Sequence, residues 1–531
     1  MTINHPSRIL WGSLILGLFF DILFWKKAPG ISFFIFTMLI LLAGLILSYM
    51  EGVKPAKRSW ILVGLVIFFS AMTFIREEPF TTFINLLLTL TCLGLLALTL
   101  SSGVWLRYSL ADAVTGLMRL IGSSLIGGST LLAETPKPTD SSFDGTQVKR
   151  KGKVSVWAVL RGILLAMPVV FFLAILLASA DPIFSKELER ILNIDRWLEY
   201  AARGVIIAVI GYLLSGIYLY VVQKSKRTDL IGVEKPWFEP FLGFTESAVI
   251  LGSVNLLFAF FVAVQFKYFF GGQANIAVDG FTFAEYARKG FGELVTVAFL
   301  SLLLYLGLSA ITKRKSIEKQ KWFTGLGVAL VGLVVVILIS AFYRLRLLED
   351  AYGFSRLRTY SHVFMVWLGV LLAAVIGLEI TNYRRGFVMA TFFMVIGFGV
   401  TLNVLNVDGF ILRANVNRSV GMGNLDYFYL QELSDDSVSE GLNHFRTVKD
   451  QEVKHLLGAS LACRAAGLEE RIKDRGWQGY HVARYTALLE LRAAGDELKD
   501  YQIIGPNERY GNKISTPIGE KDCISDMIGW D

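Results

Sequence analysis

About eleven stretches of roughly 20 mostly apolar residues dominate this chain, near 8–25, 31–50, 59–75, 80–106, 154–180, 197–222, 241–266, 291–312, 322–343, 361–381 and 387–405. Each is long enough to cross the hydrocarbon of a bilayer as a helix. Lipid offers backbone N–H and C=O groups no partners, so such segments must satisfy themselves internally. The expected fold is all-α: a polytopic transmembrane helix bundle of about 11 spans, with a small soluble helical C-terminal domain. Four parts are expected: a four-span group over 1–106, an interfacial helix and linker over 107–153, a seven-span group over 154–423, and a tail over 424–531.

Composition agrees. Of 531 residues 54% are hydrophobic and only 18% charged, against about 25% charged in soluble domains. The net charge of +8 is no nucleic-acid signature, because the basic excess lies in short connections between apolar segments. Residues 1–423 hold 39 Lys and Arg against 25 Asp and Glu, and the rest 13 against 19. The lipid bilayer is thus the expected partner, and nucleic acid is excluded.

Lys and Arg also report orientation. With an inner N-terminus, the inner connections (1–8, 50–58, 107–153, 223–240, 313–321, 382–386) carry 22 of them, and the outer ones (26–30, 76–79, 181–196, 267–290, 344–360) carry 13. This favours an inside N-terminus and an outside tail. The first apolar segment, Ile9 to Trp25, is followed by Lys26 and Lys27 instead of a small-residue cleavage site, and reads as a first span.

The connection after the fourth span is composite. SLADAVTGLMRLIGSSLIG (109–127) places Leu110, Val114, Leu117, Leu120 and Ile121 at helical spacing, as in a helix lying in the interface. The stretch that follows, to residue 153, is a basic linker with Pro, Ser and Gly. In the tail, Leu425, Phe428, Tyr429 and Leu433 form one apolar stripe, Val453, Leu456, Leu457 and Leu461 a second, and Val482, Tyr485, Leu488 and Leu489 a third. Three short helices are expected there, with turns at Gly467, Gly476 and Gly495 and an irregular final thirty residues.

Ionisable groups within spans are costly and are candidate functional groups. Arg161 and Glu246 begin the fifth and seventh spans from the same side and form a candidate intramembrane pair; the alternative is that each reaches back to the inner interface. Asn255, deeper in the seventh span, suits an interhelical hydrogen bond. Asp21, Glu77 and Glu78 close spans on the outer side. A bound cation or general-base chemistry is one reading of them, ordinary interfacial carboxylates the other.

A candidate outer-face cluster combines Glu349, Asp350, Tyr352 and Arg356 of YRLRLLEDAYGFSRLRTY with Asp408, Arg413, Asn415 and Arg418 of NVDGFILRANVNR. Arginine forks there can hold a phosphate or carboxylate; equally, the charges can pair among themselves. Asp435 and Asp436 after Ser434 look like the acidic start of a helix. Cys463 and Cys523 can pair if the tail faces an oxidising compartment, and Cys92 reads as buried packing. No phosphate-loop or H-E-x-x-H spacing occurs, so neither metal nor cofactor is expected.

FTFAEYARKGFGEL, RLRLLEDAYGFSRLRTY, LNVDGFILRANVNR and LDYFYLQELSDDSV, in this order between spans, resemble the bacterial membrane-protein family catalogued as domain of unknown function 4173, akin to family 4153. The resemblance covers about residues 240–445. It departs where proline is expected and Val407 and Ser439 stand. It implies a multi-pass protein of the cytoplasmic membrane and brings no activity, cofactor or catalytic residue. The most economical expectation is a non-enzymatic cell-envelope scaffold or sensor, using its outer face and tail toward an envelope protein or an anionic lipid. The alternatives are a transporter of a small solute and an outer-face glycosyltransferase with a lipid-linked donor.

Overall fold

The computed structural model describes residues 5–134, 194–228, 230, 240–270, 291–313, 316–381, 386–420, 425–473, 475–507 and 511–524, with scattered positions in 170–186. Nine helices among the described residues are long and apolar enough to cross a membrane, and Ser59–Ile75 is a shorter apolar helix. The chain is an all-α polytopic bundle. The span expected over 154–180 falls largely outside the described residues, as do the linker 135–153 and most of the 267–290 connection.

In chain order the helices are α1 (Pro6–Phe24), α2 (Ile31–Met50), α3 (Ser59–Ile75), α4 (Pro79–Thr99), α5 (Leu110–Glu134), α6 (Ile194–Lys224), α7 (Phe244–Phe270), α8 (Phe291–Ile311), α9 (Ile317–Tyr352), α10 (Arg356–Ile380), α11 (Gly386–Leu405) and α12 (Val407–Ser419). The tail follows with α13 (Tyr427–Glu432), α14 (Val438–Thr447), α15 (Gln451–Lys473), α16 (Val482–Ala493) and the strands β1 (Gln502–Asn507), β2 (Gly511–Thr516) and β3 (Gly519–Ile524).

These elements form two compact units. One joins Met1–Trp25 with Gly122–Leu219. Hydrophobicity does not drive helices together in lipid, so close backbone approach and interhelical hydrogen bonds must do so. Gly216 supplies the approach: a Cβ there would lie 2.8 Å from the Ser124 Cα. Around it Ser123 Oγ donates to the Gly216 carbonyl (2.9 Å) and Tyr212 Oη to that of Leu125 (2.7 Å). Asp21, fully buried, receives the Arg203 guanidinium at 2.6 and 3.0 Å.

The other unit joins Lys26–Ile121 with Tyr220–Asp531. Its centre is α9, whose buried Phe323, Leu330, Ile337 and Leu345 run along one stripe against α7, α8 and α10. Asn255 of α7 donates to the Leu326 carbonyl of α9 at 3.0 Å, as an interhelical bond should. At 36 residues, α9 is about 54 Å long, well beyond a hydrocarbon core of about 30 Å. Its charged C-terminal turns therefore project past the apolar layer. Between α4 and α11, Asn85 and Asn403 exchange amide hydrogen bonds at 3.0 and 2.7 Å, leaving neither amide unmatched.

NVDGFILRANVNR is helix, not an unwinding exit. Asn406 turns the chain between α11 and α12 in the left-handed region (φ 50°), which asparagine tolerates better than most residues. Its Oδ1 accepts from the Gly409 N–H at 3.3 Å. Val407 then occupies the first helical position, where proline is favoured, so the departure from the expected proline leaves the turn intact.

Two expectations for the tail need correction. Gly467 does not break a helix, since α15 runs through it to Lys473. The described residues from 502 to 524 are not irregular: β1, β2 and β3 form an antiparallel meander. Each strand is short and half polar; β2 and β3 bury only Ile514, Thr516 and Cys523, so no apolar alternation marks them. Cys463 of α15 is disulfide-bonded to Cys523 of β3, and Gln431 fastens the same strand through the Asp522 carbonyl and the Ile524 N–H. The bond closes 60 residues, for which chain-entropy arguments give about 4 kcal/mol. Cys463→Ser with Cys523→Ser should lower tail stability by that order in chemical unfolding, whereas the buried Cys92→Ser should not reproduce the loss of β3 protection.

Candidate functional site

Within the larger unit the tail packs against one end of α2, α3, α4, α9, α10 and α11, where the connections assigned to one side of the membrane come together. Ile31 N–H donates to the Tyr480 carbonyl (3.0 Å) at the start of α2. Elsewhere an apolar contact, in which Leu402, Val407 and Ile411 pack with Leu430, Val438 and Leu442, is overlaid by charged bonds.

Asp408, in the first turn of α12, is wholly buried. Arg356 holds it in a two-pronged grip, Nε at 2.9 Å and Nη2 at 2.6 Å, and the Ser434 N–H donates to it at 2.6 Å. One carboxylate thus ties together α10, α12 and the tail. Asp436 performs the reciprocal task, accepting the N–H groups of Glu77 and Glu78 at 2.7 and 3.1 Å and the Arg76 guanidinium at 3.4 Å. Glu78 caps α4 through the N–H groups of Phe80 and Thr81 and receives the Tyr360 hydroxyl.

Beside it lies a buried pair of acids. Asp435 is held by Arg464 (2.9 Å) and Arg471 (3.4 Å), and Glu77 by Arg484. Burial raises the Asp435 carboxyl, but Arg464 and Arg471 outweigh it and leave the group below its usual value. Burial, reinforced by the neighbouring Asp435, pushes Glu77 up to about 7. Burial next to Arg484 pushes His481 down to about 4. Asp436 is raised by burial, against the pull of the backbone N–H groups and Arg76. The two aspartates open a helical segment as expected, a 3-10 turn over Asp435–Ser437 that runs directly into α14, but their side chains face inward.

The sequence-derived cluster is divided by the structure. Arg356 and Asp408 pair, and Arg413 pairs with Glu440 of α14 at 3.2 Å. Asn415 clamps the α9–α10 turn, accepting from the Phe354 N–H (2.7 Å) and donating to its carbonyl (2.9 Å). Arg418 lies against Gly353 of the same turn. Glu349 is buried at the end of α9 and faces His362 at 3.5 Å. Asp350 and Tyr352 are exposed beside it. Glu246 is exposed and bonds back to the Gly243 N–H at 2.6 Å, the ordinary behaviour of an acid in a first helical turn; Arg161 lies outside the described residues.

Sequence reasoning missed Arg76, Arg203, Arg464, Arg471 and Arg484. Arg464 and Arg471 are seven residues apart in one helix, two turns that place both on one face, which is the signal that was there to use. Among the described residues no three His, Cys, Asp or Glu are placed to hold a metal. A cavity of about 10 Å³ lies under α12 and one of about 20 Å³ beside Tyr108 and Arg119, space for about one water each.

The family described as Domain of unknown function (DUF4153) matches residues 63–443. The chain belongs to this family. The match is to the 4153 family, the kin of the one its motifs resemble, and reaches further toward the N-terminus than those motifs do. Within the DUF4153 region lie Glu77, Arg356, Asp408, Asp435 and Asp436, while Arg464, Arg471 and Arg484 fall beyond it. No curated protein and no solved structure matched the chain.

Removing one partner of a buried ion pair costs about 3–5 kcal/mol because the other charge stays behind. Asp408→Asn should therefore lose about 3 kcal/mol in thermal or chemical unfolding, and Asp408→Leu with Arg356→Met should lose less than either single change. Acid response supplies a second check. With Glu77 raised from 4.5 to about 7, the folded chain keeps a proton that the unfolded chain releases, so this contribution fades as pH rises through that window. His481, lowered from 6.5 to about 4, acts oppositely, its contribution fading as pH falls through its window. Between pH 7 and 5 the two offset. Glu77→Gln should become acid-sensitive and His481→Gln acid-stabilised, each by about 1–3 kcal/mol relative to the parent; identical pH profiles for all three proteins would contradict the assignment.

Proposed function

We propose that this integral membrane protein is a non-enzymatic scaffold or sensor of the cell envelope, with spans that hold a disulfide-bonded tail on the outer face for a partner to read. One observation carries the reading: the acids at the joint are engaged in holding the tail. Asp408, Asp435, Asp436, Glu77 and Glu78 each accept from the spans or the tail itself. The carboxylates on which transfer from a lipid-linked sugar would depend, Asp21 and Glu77, are each engaged by an arginine. The outer placement is supported by the Lys and Arg bias and by the Cys463–Cys523 bond, which persists in oxidising compartments.

The tail exposes Phe428 of α13, Trp477 of a 3-10 turn and Leu489 of α16. A scaffold should migrate in native gels of gently solubilised membranes as a species larger than its own monomer. Phe428→Asp with Leu489→Asp should collapse it to the monomer while the helix content stays unchanged. A cysteine at the exposed Lys499 should react with an impermeant maleimide in intact cells. Monomer-sized migration of the parent, or labelling only after permeabilisation, would contradict the reading.

A further inference from the structure

We propose that Arg358 and Arg418, meeting at Gly353 between α9 and α10, form a binding site for a phosphate group, supplied by the headgroup of an anionic phospholipid. The argument starts from the turn. Gly353 ends α9 at φ 78°, and its N–H closes on the Glu349 carbonyl at 2.8 Å. The Arg358 guanidinium donates to the Gly353 carbonyl. From the other side a Cβ at position 353 would stand 3.2 and 3.4 Å from Nη2 and Nε of Arg418. Two guanidinium groups therefore converge on one peptide, beside the Asn415 Oδ1, near enough for their charges to repel.

Such a pair is costly without an anion, and none of this chain's described carboxylates ion-pairs with it. Arg76, Arg356, Arg413, Arg464, Arg471 and Arg484 each have an acidic partner. Among the described residues neither Arg358 nor Arg418 forms an ion pair, and the Arg418 Nε is buried with no acceptor. Arg346, exposed two turns before Gly353 in α9, adds a third positive charge. Of the nearest acids, Glu349 attracts Arg358 but makes no ion pair with it, facing His362 at 3.5 Å, and Asp350 is on the exposed surface. Both still act on this neighbourhood, so the local balance is three cations to two anions. Guanidinium forks match the tetrahedral oxygens of phosphate. The turn joins two helices long and apolar enough to cross a membrane and follows the charged end of α9 out of the apolar layer toward the headgroups, with the exposed Tyr352 and Leu357 beside it.

The test uses the purified full chain in nanodiscs of phosphatidylcholine alone or with phosphatidylglycerol, read by thermal unfolding and by lipid retained in native mass spectrometry. Phosphatidylglycerol should raise the melting temperature and be retained. Arg358→Gln with Arg418→Gln should abolish the rise and weaken retention about tenfold, with Arg446→Gln, on a distant exposed pair, responding like the parent. In phosphatidylcholine alone Arg418→Gln should melt no lower than the parent, because it relieves repulsion. A lower melt there would assign Arg418 to bracing the turn and overturn the proposal. Inorganic phosphate in the phosphatidylcholine discs distinguishes the source: a rise that needs both arginines supports the phosphate site with a soluble donor. No response to either anion, or one that survives the double substitution, overturns it.

Discussion

A carboxylate with no access to water must be neutralised or surrounded by donors, and Asp408 is where this chain meets that constraint. It sits just after Asn406 turns the backbone out of α11, so its position is set by a span. Its donors come from a second span end, Arg356, and from the tail, Ser434. Fixing Ser434 places Asp435 and Asp436 a residue or two later, and these collect Arg464, Arg471, Arg76 and the Glu77 and Glu78 N–H groups. The tail is thereby registered on the spans by directional charged bonds, which specify one arrangement more sharply than apolar contact does.

The spans were legible because lipid allows so few solutions: a run of about 20 apolar residues has little choice but helix. Nine of those runs appear as helices long and apolar enough to cross. The pairing of Arg356 with Asp408 joins two stretches singled out for their texture, and their residue types foretold a charged contact. What was hidden lay in long-range geometry. Arg484 looks like any exposed helix arginine, and only the fold brings it to Glu77, 407 residues away in sequence. Asp435 and Asp436 have the pattern of a helix start, because an acidic pair after serine reads the same whether it faces solvent or a buried arginine. The meander at 502–524 was missed because a strand that buries one or two side chains carries almost no period.

The same geometry accounts for the chemistry at this end of the bundle. Asp408 and Asp436 are committed to N–H groups and guanidinium forks. A tail clamped in this way keeps a fixed position on the span ends, as the proposed scaffold or sensor role requires. Burial moves Glu77 up and His481 down, so the two groups respond to acid in opposite directions.

The central claim is that Asp408 and Asp436 lock the tail to the span ends through backbone donors. Hydrogen exchange at the amides of Glu77, Glu78 and Ser434 reads that lock directly, since each donates to one of these carboxylates. All three lie outside regular helix, where unprotected amides exchange fastest. The account predicts that they exchange as slowly as the core of α15 and open together with it; exchange at the rate of a free loop would contradict it.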